Sequence, residues 1–440
     1  MASYKKNSRF TRKSSKTFTC RNFEGHIYDN LNGYSIISQM RGIFFCVHTK
    51  FLYLCDIYYI FMYIPHLSKY IILSVLCLLV ACNSANKQGD SLSQSDGFIS
   101  DTIIEAKGFS IKHNKDKTTR INIINPWDTS KNLREYTLKG NSNECNNENG
   151  IISAPLKRVI VYSSVHANII KELGHLSTII GVCDPQYFTI QEITDGVKNG
   201  TITNIGSSAS PSIEHIIALS PDAIIVSPYQ DSQYNDIEKL GIPIIECADY
   251  METSPLGRAE WIKLFGELFG ERTKSDSIYN NVVTEYNRLK QLTDNISDHP
   301  TILSENIING TWFVPGGDSY MAQLFVDAGG RYAWSDTHTS GSIPLDMAQV
   351  LDKAHDADVW LIKSFDASLS YSKLKSQNTL NAEFKAFKDK NIYYCNTERT
   401  TLFNDFPFHP EMLLKEFIAI FHPDLLPDYE TRYYKPLSND

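Results

Sequence analysis

The chain lacks the local signatures of the common catalysts. It contains no GxSxG elbow, no GxxxxGK[ST] phosphate loop, no GxGxxG and no HExxH. Ser163, Ser164 and His166 stand close together after an apolar run. A serine nucleophile, however, needs a base in reach and a third group to orient that base, and nothing nearby in the sequence supplies it. Cysteine is sparse and never falls at zinc-ligand spacing. Cys183 and Cys395 end strand-like apolar runs, which reads as buried free thiols. The 12 histidines are scattered, so spacing suggests no metal site. Nor can the apolar run 71–81 cross a bilayer, which takes about 20 residues. Positive charge is short in the body of the chain. Residues 1–81 carry ten Lys/Arg against three Asp/Glu, net +7, so the chain total of −8 leaves −15 on residues 82–440. That excludes a phosphate-neutralising nucleic-acid binder.

What is present starts with a processing signal. Residues 71–81 (IILSVLCLLVA) have the length of a signal-peptide core, with Lys69 just ahead. They run into Leu79-Val80-Ala81-Cys82, which resembles a lipobox. Small residues suit the protease pocket, and the Cys82 thiol is the group that takes the lipid. The alternative is a core strand with a chance cysteine. The polar stretch 83–96 suits a tether. Met62 would give a signal of ordinary size, so residues 1–61 are either an upstream misassigned start or a true extension.

Beyond the tether the patterns are α/β. Residues 99–140 alternate as a small β structure, with Asn125-Pro126-Trp127 as a turn. Strand-like RVIVYS (158–163) is followed by a helical segment to Leu173, a capping Gly174 and the strand-like TIIGV (178–182), a βαβ unit. A short helix, an Asp and a strand occur at 210–226 and again at 344–362, as expected of two similar lobes. Between them, 255–295 reads as a long linking helix, with Ile278, Val282, Tyr286 and Leu289 on one face and Gly266 and Gly270 as possible bends. In the second lobe 301–308 reads as a strand, 309–318 as a Gly- and aromatic-rich loop, and 319–328 as a helix. Residues 380–389 and 410–421 read as helices, and 391–395 as a strand.

Aromatic residues gather at strand ends and in loops: Tyr187 and Phe188, Tyr229, Trp312 and Phe313, and Tyr320. As a set they suit the walls of a pocket for a large flat ligand. His166 follows the first strand, where open α/β sheets present ligand-binding residues. Its other reading is a helix-capping or solvated ring.

From about 156 to 434 the chain resembles the solute-binding proteins of iron-complex and cobalamin ABC importers, the class with a rigid helix between its lobes. The residues that carry the resemblance are RVIVYSSVHANIIKELG (158–174), IIGVCDP (179–185), PSIEHIIALSPDAIIV (211–226) and LGIPII (240–245). PLGRAEWIKLFGELFGE (255–271), TWFVPGGDSYMAQLFVDAGG (311–330) and PLDMAQVLDKAHDADVWLI (344–362) complete it. NPWD (125–128) and PLGRAEW look like a branch common in Bacteroidota-type bacteria.

The resemblance implies two lobes, each a mostly parallel sheet flanked by helices, joined by a long linking helix, with a small β extension before the first. The expected division is leader and signal (1–81), tether (82–98), β extension (99–150), N-terminal lobe (151–254), linking helix (255–295), and C-terminal lobe with tail (296–440). It further implies a binding protein rather than an enzyme, with no cofactor of its own. A ferric siderophore, haem or cobalamin would sit between the lobes, held by His166, Tyr187, Tyr229, Arg258, Trp312, Phe313 and Tyr320. Arg258 would face an anionic ligand or else brace the linking helix. Permease docking falls to Asp318 on the second lobe. The first-lobe acid is missing near Asn168, with Glu172 as substitute. The expected protein is a monomeric periplasmic lipoprotein anchored through Cys82, its partners an ABC permease and, through it, an ATPase. The rivals are a bare-ion binder, an enzyme built around His166, and a non-transport receptor lipoprotein.

Overall fold

The period of two appears in its plainest form ahead of the first lobe. Five strands, Phe98–Ser100 (β1), Phe109–Asn114 (β2), Thr119–Ile124 (β3), Asn132–Gly140 (β4) and Ile151–Ala154 (β5), form one sheet in that order. Only β4–β5 is parallel. Phe109, Ile111, Ile121, Ile123, Tyr136 and Leu138 point inward and share a core with Trp261, Phe265 and Leu268. The turn at 125–128 is closed by Asn125, whose Oδ1 accepts from the backbone N–H groups of Trp127 and Asp128. The computed structural model describes residues 98–100, 103–140 and 150–439, all within one compact unit, Gln94–Asp440. The leader, the signal with Cys82, the tether and Cys145 lie outside the described residues.

Two buried carboxylates hold the chain that leads into this sheet. Glu260 accepts from the backbone N–H groups of Ile104, Glu105 and Ala106 and from Lys263 Nζ. Glu252 accepts from those of Lys107 and Gly108 and from Trp261 Nε1. Gly108 is required here, because a Cβ would stand 2.8 Å from the Trp261 ring.

The first lobe is built on Val159–Val161 (β6), Ile179–Cys183 (β7), Thr203–Ser207 (β8), Ser210–Pro211 (β9), Ala223–Val226 (β10) and Ile244–Glu246 (β11). Their order is β11-β10-β6-β7-β8-β9, parallel apart from the β8–β9 pair. The second lobe places Thr301–Ser304 (β12), Arg331–Tyr332 (β15), Val359–Ser364 (β17), Ile392–Asn396 (β18) and Lys435–Pro436 (β19) in the order β15-β12-β17-β18-β19, antiparallel only at the last pair. The repeated helix–Asp–strand pattern has a physical basis. Asp222, ahead of β10, accepts from the N–H groups of Lys157 and Arg158, where β6 begins. Asp358, ahead of β17, accepts from the N–H and hydroxyl of Thr301, where β12 begins. Each aspartate sets the start of the neighbouring parallel strand.

Two expectations are corrected in the second lobe. Residues 301–308 are not one strand: Glu305 has φ +68° and breaks them into β12 and Ile307–Ile308 (β13). Residues 311–315 are not loop but strand Thr311–Pro315 (β14), flanked by β13 and by Ser342–Leu345 (β16) in a small antiparallel sheet. Alternation in β14 turns Trp312 and Val314 into the core and Phe313 outward.

Residues 255–291 form three helices, Pro255–Glu260, Ile262–Phe269 and Arg272–Gln291, rather than one. The second ends at Gly270, which takes the left-handed conformation a C-cap requires. Gly266 lets the second and third helices close up, since a Cβ there would overlap Ser275. The 20-residue third helix is shared by both lobes. Tyr279 and Val282 belong to the first lobe's core, and Tyr286 and Leu289 to the second's.

A seam joins the lobes beyond the carboxyl ends of their strands. Helix Ser164–Leu173, which follows β6, meets Leu402–Asp405, which follows β18. Asn404 accepts from Ser164 Oγ (3.0 Å) and, through its carbonyl, from Asn168 Nδ2 (3.2 Å), and its amide reaches Thr189. Farther along, His409 Nε2 lies 2.9 Å from Glu172 and Nδ1 3.0 Å from Glu411. With a carboxylate at each ring nitrogen, both nitrogens must carry protons, so the ring is an imidazolium. Burial opposes that charge, but the two glutamates outweigh it and raise the pKa from 6.5 to about 10.

Two measurements follow from this packing. Glu260→Ala leaves several N–H groups without their acceptor and should lower the unfolding free energy by about 2–4 kcal/mol in a denaturant titration. Because the His409 pKa is raised on folding, its contribution is complete below pH 6.5 and is lost as pH rises towards 10. The wild-type denaturation midpoint should therefore fall across that window, by on the order of a few kcal/mol in stability, and His409→Gln should flatten the slope.

Candidate ligand-binding cleft

In a parallel α/β sheet, ligand groups gather outside the carboxyl ends of the strands, where the strand order reverses. Here the order reverses between β6 and β10 in the first lobe, and between β12 and β17 in the second. The seam at Asn404 brings these two carboxyl edges to the same side of the molecule.

Large exposed aromatics stand along both edges. Tyr187 follows β7 and is 71% exposed, and Tyr229 follows β10 and is 66% exposed. Phe365 follows β17 and is 70% exposed, and Phe403 is exposed beyond β18. Phe313 is exposed on the small sheet that continues from β12. Between β12 and β17, Glu305 and Lys363 form a largely buried ion pair. Burial alone would lower the Lys363 pKa, but the Glu305 carboxylate more than offsets this and holds the ammonium protonated. The positive φ of Glu305 turns the chain at the end of its strand. Phe365, Glu305 and Lys363 were not singled out in the sequence. The duplication contained the signal for Phe365, which follows the second copy's strand as Tyr229 follows the first's.

Three sequence-predicted ligand residues lie elsewhere than expected. Trp312 is fully buried, stacked 5.5 Å from Trp360, with Nε1 donating to the Ser304 carbonyl. It is a core residue because the segment is a strand and its position faces inward. His166 is 1% exposed, its Nε2 2.9 Å from Asp249 Oδ1. Arg258 is buried too, its guanidinium 3.2 Å from Asp249 Oδ2 and 5.1 and 5.3 Å from the ring centres of Tyr320 and Phe406. Both His166 and Arg258 are buried and engaged with Asp249. Burial disfavours the Asp249 charge, but His166 and Arg258 outweigh it and hold the carboxyl below its ordinary pKa. Arg258 thus braces, as one of its two readings had it, tying the first lobe to rings of the second. Tyr320 is half-buried under Arg258 and Phe406.

The His166–Asp249 pair sets an imidazole beside a carboxylate, but both nearby serine hydroxyls are engaged elsewhere. Ser163 Oγ accepts from the Val165 N–H as a helix cap, and Ser164 Oγ donates to Asn404. His166 Nδ1 is buried without a hydrogen-bond partner. Among the described residues no group of three or more His, Cys, Asp or Glu is placed to hold a metal ion.

The two acids expected to serve docking differ in their surroundings. Asp318 is exposed, 3.6 Å from His338. Gly316 and Gly317 precede it because a Cβ at either would stand 2.1 Å from the Thr339 carbonyl or 2.4 Å from that of Thr337. Glu172 is not a free surface acid, since it is bound to His409 across the seam.

Comparison with known proteins agrees with this architecture. Residues 159–398 match the family model described as periplasmic binding protein. An uncharacterized lipoprotein of Methanocaldococcus jannaschii is 24% identical over 409 residues, covering 84% of this chain and 96% of its own. A second uncharacterized lipoprotein of that organism is 26% identical over 316 residues, covering 68% and 78%. Among solved structures, a periplasmic heme binding protein from Pseudomonas aeruginosa superposes with TM-score 0.51 at 18% identity, covering 64% of this chain and 98% of that one. A periplasmic binding protein from Veillonella parvula does so with TM-score 0.51 at 12% identity, covering 66% and 94%. At these identities the structural likeness speaks for the fold. With more than half of its length matched, this two-lobed chain belongs to the periplasmic binding protein family, whose members bind solutes and are not enzymes.

Proposed function

We propose that the protein is the extracytoplasmic, lipid-anchored binding subunit of an ABC importer, capturing a metal complex between its lobes and delivering it to a permease. The complex is a ferric siderophore, haem or cobalamin. The observation that carries this reading is the row of exposed aromatics on both carboxyl edges, with Tyr187 and Tyr229 on one lobe and Phe365 and Phe403 on the other. Exposed rings of this size are costly to leave in water, and they offer stacking area at little entropic cost to a large flat ligand. The Lys363–Glu305 pair lies beside them and supplies the fixed polar contact that orients such a ligand. Asp318 is the acid available for permease docking, and with Glu172 engaged the first lobe must dock through other surface. Cys82 is the proposed lipid site, and it is supported by two relatives that carry the name lipoprotein. The proposed division keeps the lobes at 151–254 and 296–440.

The test is a titration with haem, cobalamin and a panel of ferric siderophores, followed by ligand absorbance and by energy transfer from the protein's tryptophans. Four of the five tryptophans, Trp261, Trp312, Trp334 and Trp360, are buried, so they report ligand proximity without touching it. One ligand should bind one-to-one at micromolar concentration or below. Tyr187→Ala and Phe365→Ala should each weaken it by about tenfold, the value of one well-packed aromatic contact. Trp312→Ala should instead destabilise the second lobe. Saturable binding of none of these ligands would overturn the reading.

A further inference from the structure

The amino-terminal sheet does not share the acidity of the lobes. Residues 99–150 hold eight Lys/Arg against seven Asp/Glu, net +1, while residues 151–440 are net −15. Its positive charge is concentrated at one end of the sheet. Lys112 on β2 stands directly opposite Arg120 on β3, both side chains exposed on the outer face. Lys115 and Lys117 are exposed in the turn between these strands. Among the described residues Lys112, Lys115 and Lys117 have no ion-pair partner. The opposite end of β4 differs: Lys131 is paired with Asp128, and Arg134 with Glu238 and Glu246.

Strand register places this basic end beside the entry of the chain. Phe98, the first residue of β1, pairs with Asn114, which immediately precedes the Lys115–Lys117 turn. Phe98 is only 16 positions along the chain from Cys82, a reach of at most about 55 Å.

We propose that the β2–β3 end of the amino-terminal sheet is a contact surface for the anionic headgroups of the membrane that holds the protein. Each lysine or arginine near an anionic bilayer tightens binding about fivefold, and the attraction fades within a Debye length of about 10 Å. The basic end therefore adheres only when it faces the bilayer. The acidic lobes are repelled by the same surface, so the contact sets the orientation of the protein as well as its distance from the membrane. The proximity argument rests on anchoring at Cys82, but the charge distribution does not.

The experiment uses the chain from residue 82 onward with Cys82→Ser, which keeps the whole compact unit and removes the lipid. It is sedimented with vesicles of phosphatidylcholine alone and with vesicles that are one quarter phosphatidylglycerol, at low and at physiological salt. Binding should favour the anionic vesicles, weaken with salt, and fall at least about tenfold in K112E/K115E/K117E. The milder K112Q/K115Q/K117Q should fall in between. Circular dichroism and ligand titration should be unchanged in both variants, which separates this surface from the cleft. Equal partition onto the two vesicle types, or no loss in the charge variants, overturns the proposal. Binding to a soluble polyanion with none to vesicles also overturns it, in favour of an acidic macromolecular partner. Lipid labelling at Cys82 in cells reads the anchor separately, so failure of the anchor and failure of the surface are distinguishable.

Discussion

The arrangement of the lobes depends on one buried charge. Asp249 sits at the end of the first lobe and is reached by His166 from that lobe and by Arg258 from the helix that starts the crossing to the second. The guanidinium then lies against Tyr320 and Phe406 of the second lobe. A buried carboxylate that loses a partner is left as an uncompensated charge, which typically costs several kcal/mol, whereas the intact pair contributes little net stability. The group therefore works as a positioning device. It penalises arrangements of helix Pro255–Glu260 that separate Arg258 from Asp249, and through the rings it links that helix to the far lobe.

The same logic is repeated wherever a segment arrives from a distance. Glu260 and Glu252 gather the N–H groups of 104–108 as the chain enters the fold. Glu416 does the same as it leaves, accepting from the N–H groups of Arg432, Tyr433 and Tyr434. In each case a helix supplies a fully or nearly fully buried carboxylate, or a residue just before a helix does, and irregular backbone is fixed without a regular strand or helix of its own. With the linking helix Arg272–Gln291 shared between two cores, the lobes have little freedom to swing apart without exposing apolar surface.

Much of this was legible in the chain itself, and the failures have identifiable causes. The runs AIIV and VWLI are central parallel strands because they are apolar on both faces, and the Asp before each is the strand-start acceptor seen in both lobes. Residues 410–421 are helical as read. The reading failed where tertiary context decided. TWFVP looked like loop because glycines flank it, yet its alternation buries Trp312 and exposes Phe313. His166 looked like a ligand contact because it follows a strand, and Arg258, in the linking segment, was open to an anionic ligand or to bracing the helix. Their partner Asp249 lies 83 residues from one of them, and no local pattern announces such a pairing. Phe365 escaped notice because one aromatic in a polar loop is unremarkable until the fold places it on the cleft.

The aspartates at the strand starts have a consequence for how such a protein changes over time. Asp222 and Asp358 act at the amino edges of the two sheets, while the exposed aromatics and the Lys363–Glu305 pair lie at the carboxyl edges. Strand alignment and the proposed cargo recognition therefore draw on separate residues at opposite ends of the same strands. A loop such as 227–233 or 365–369 can be rewritten, with a different ring or a different length, while the hydrogen bonds that register the strands are left untouched. The scaffold is thereby open to new cargo at small cost to its own folding.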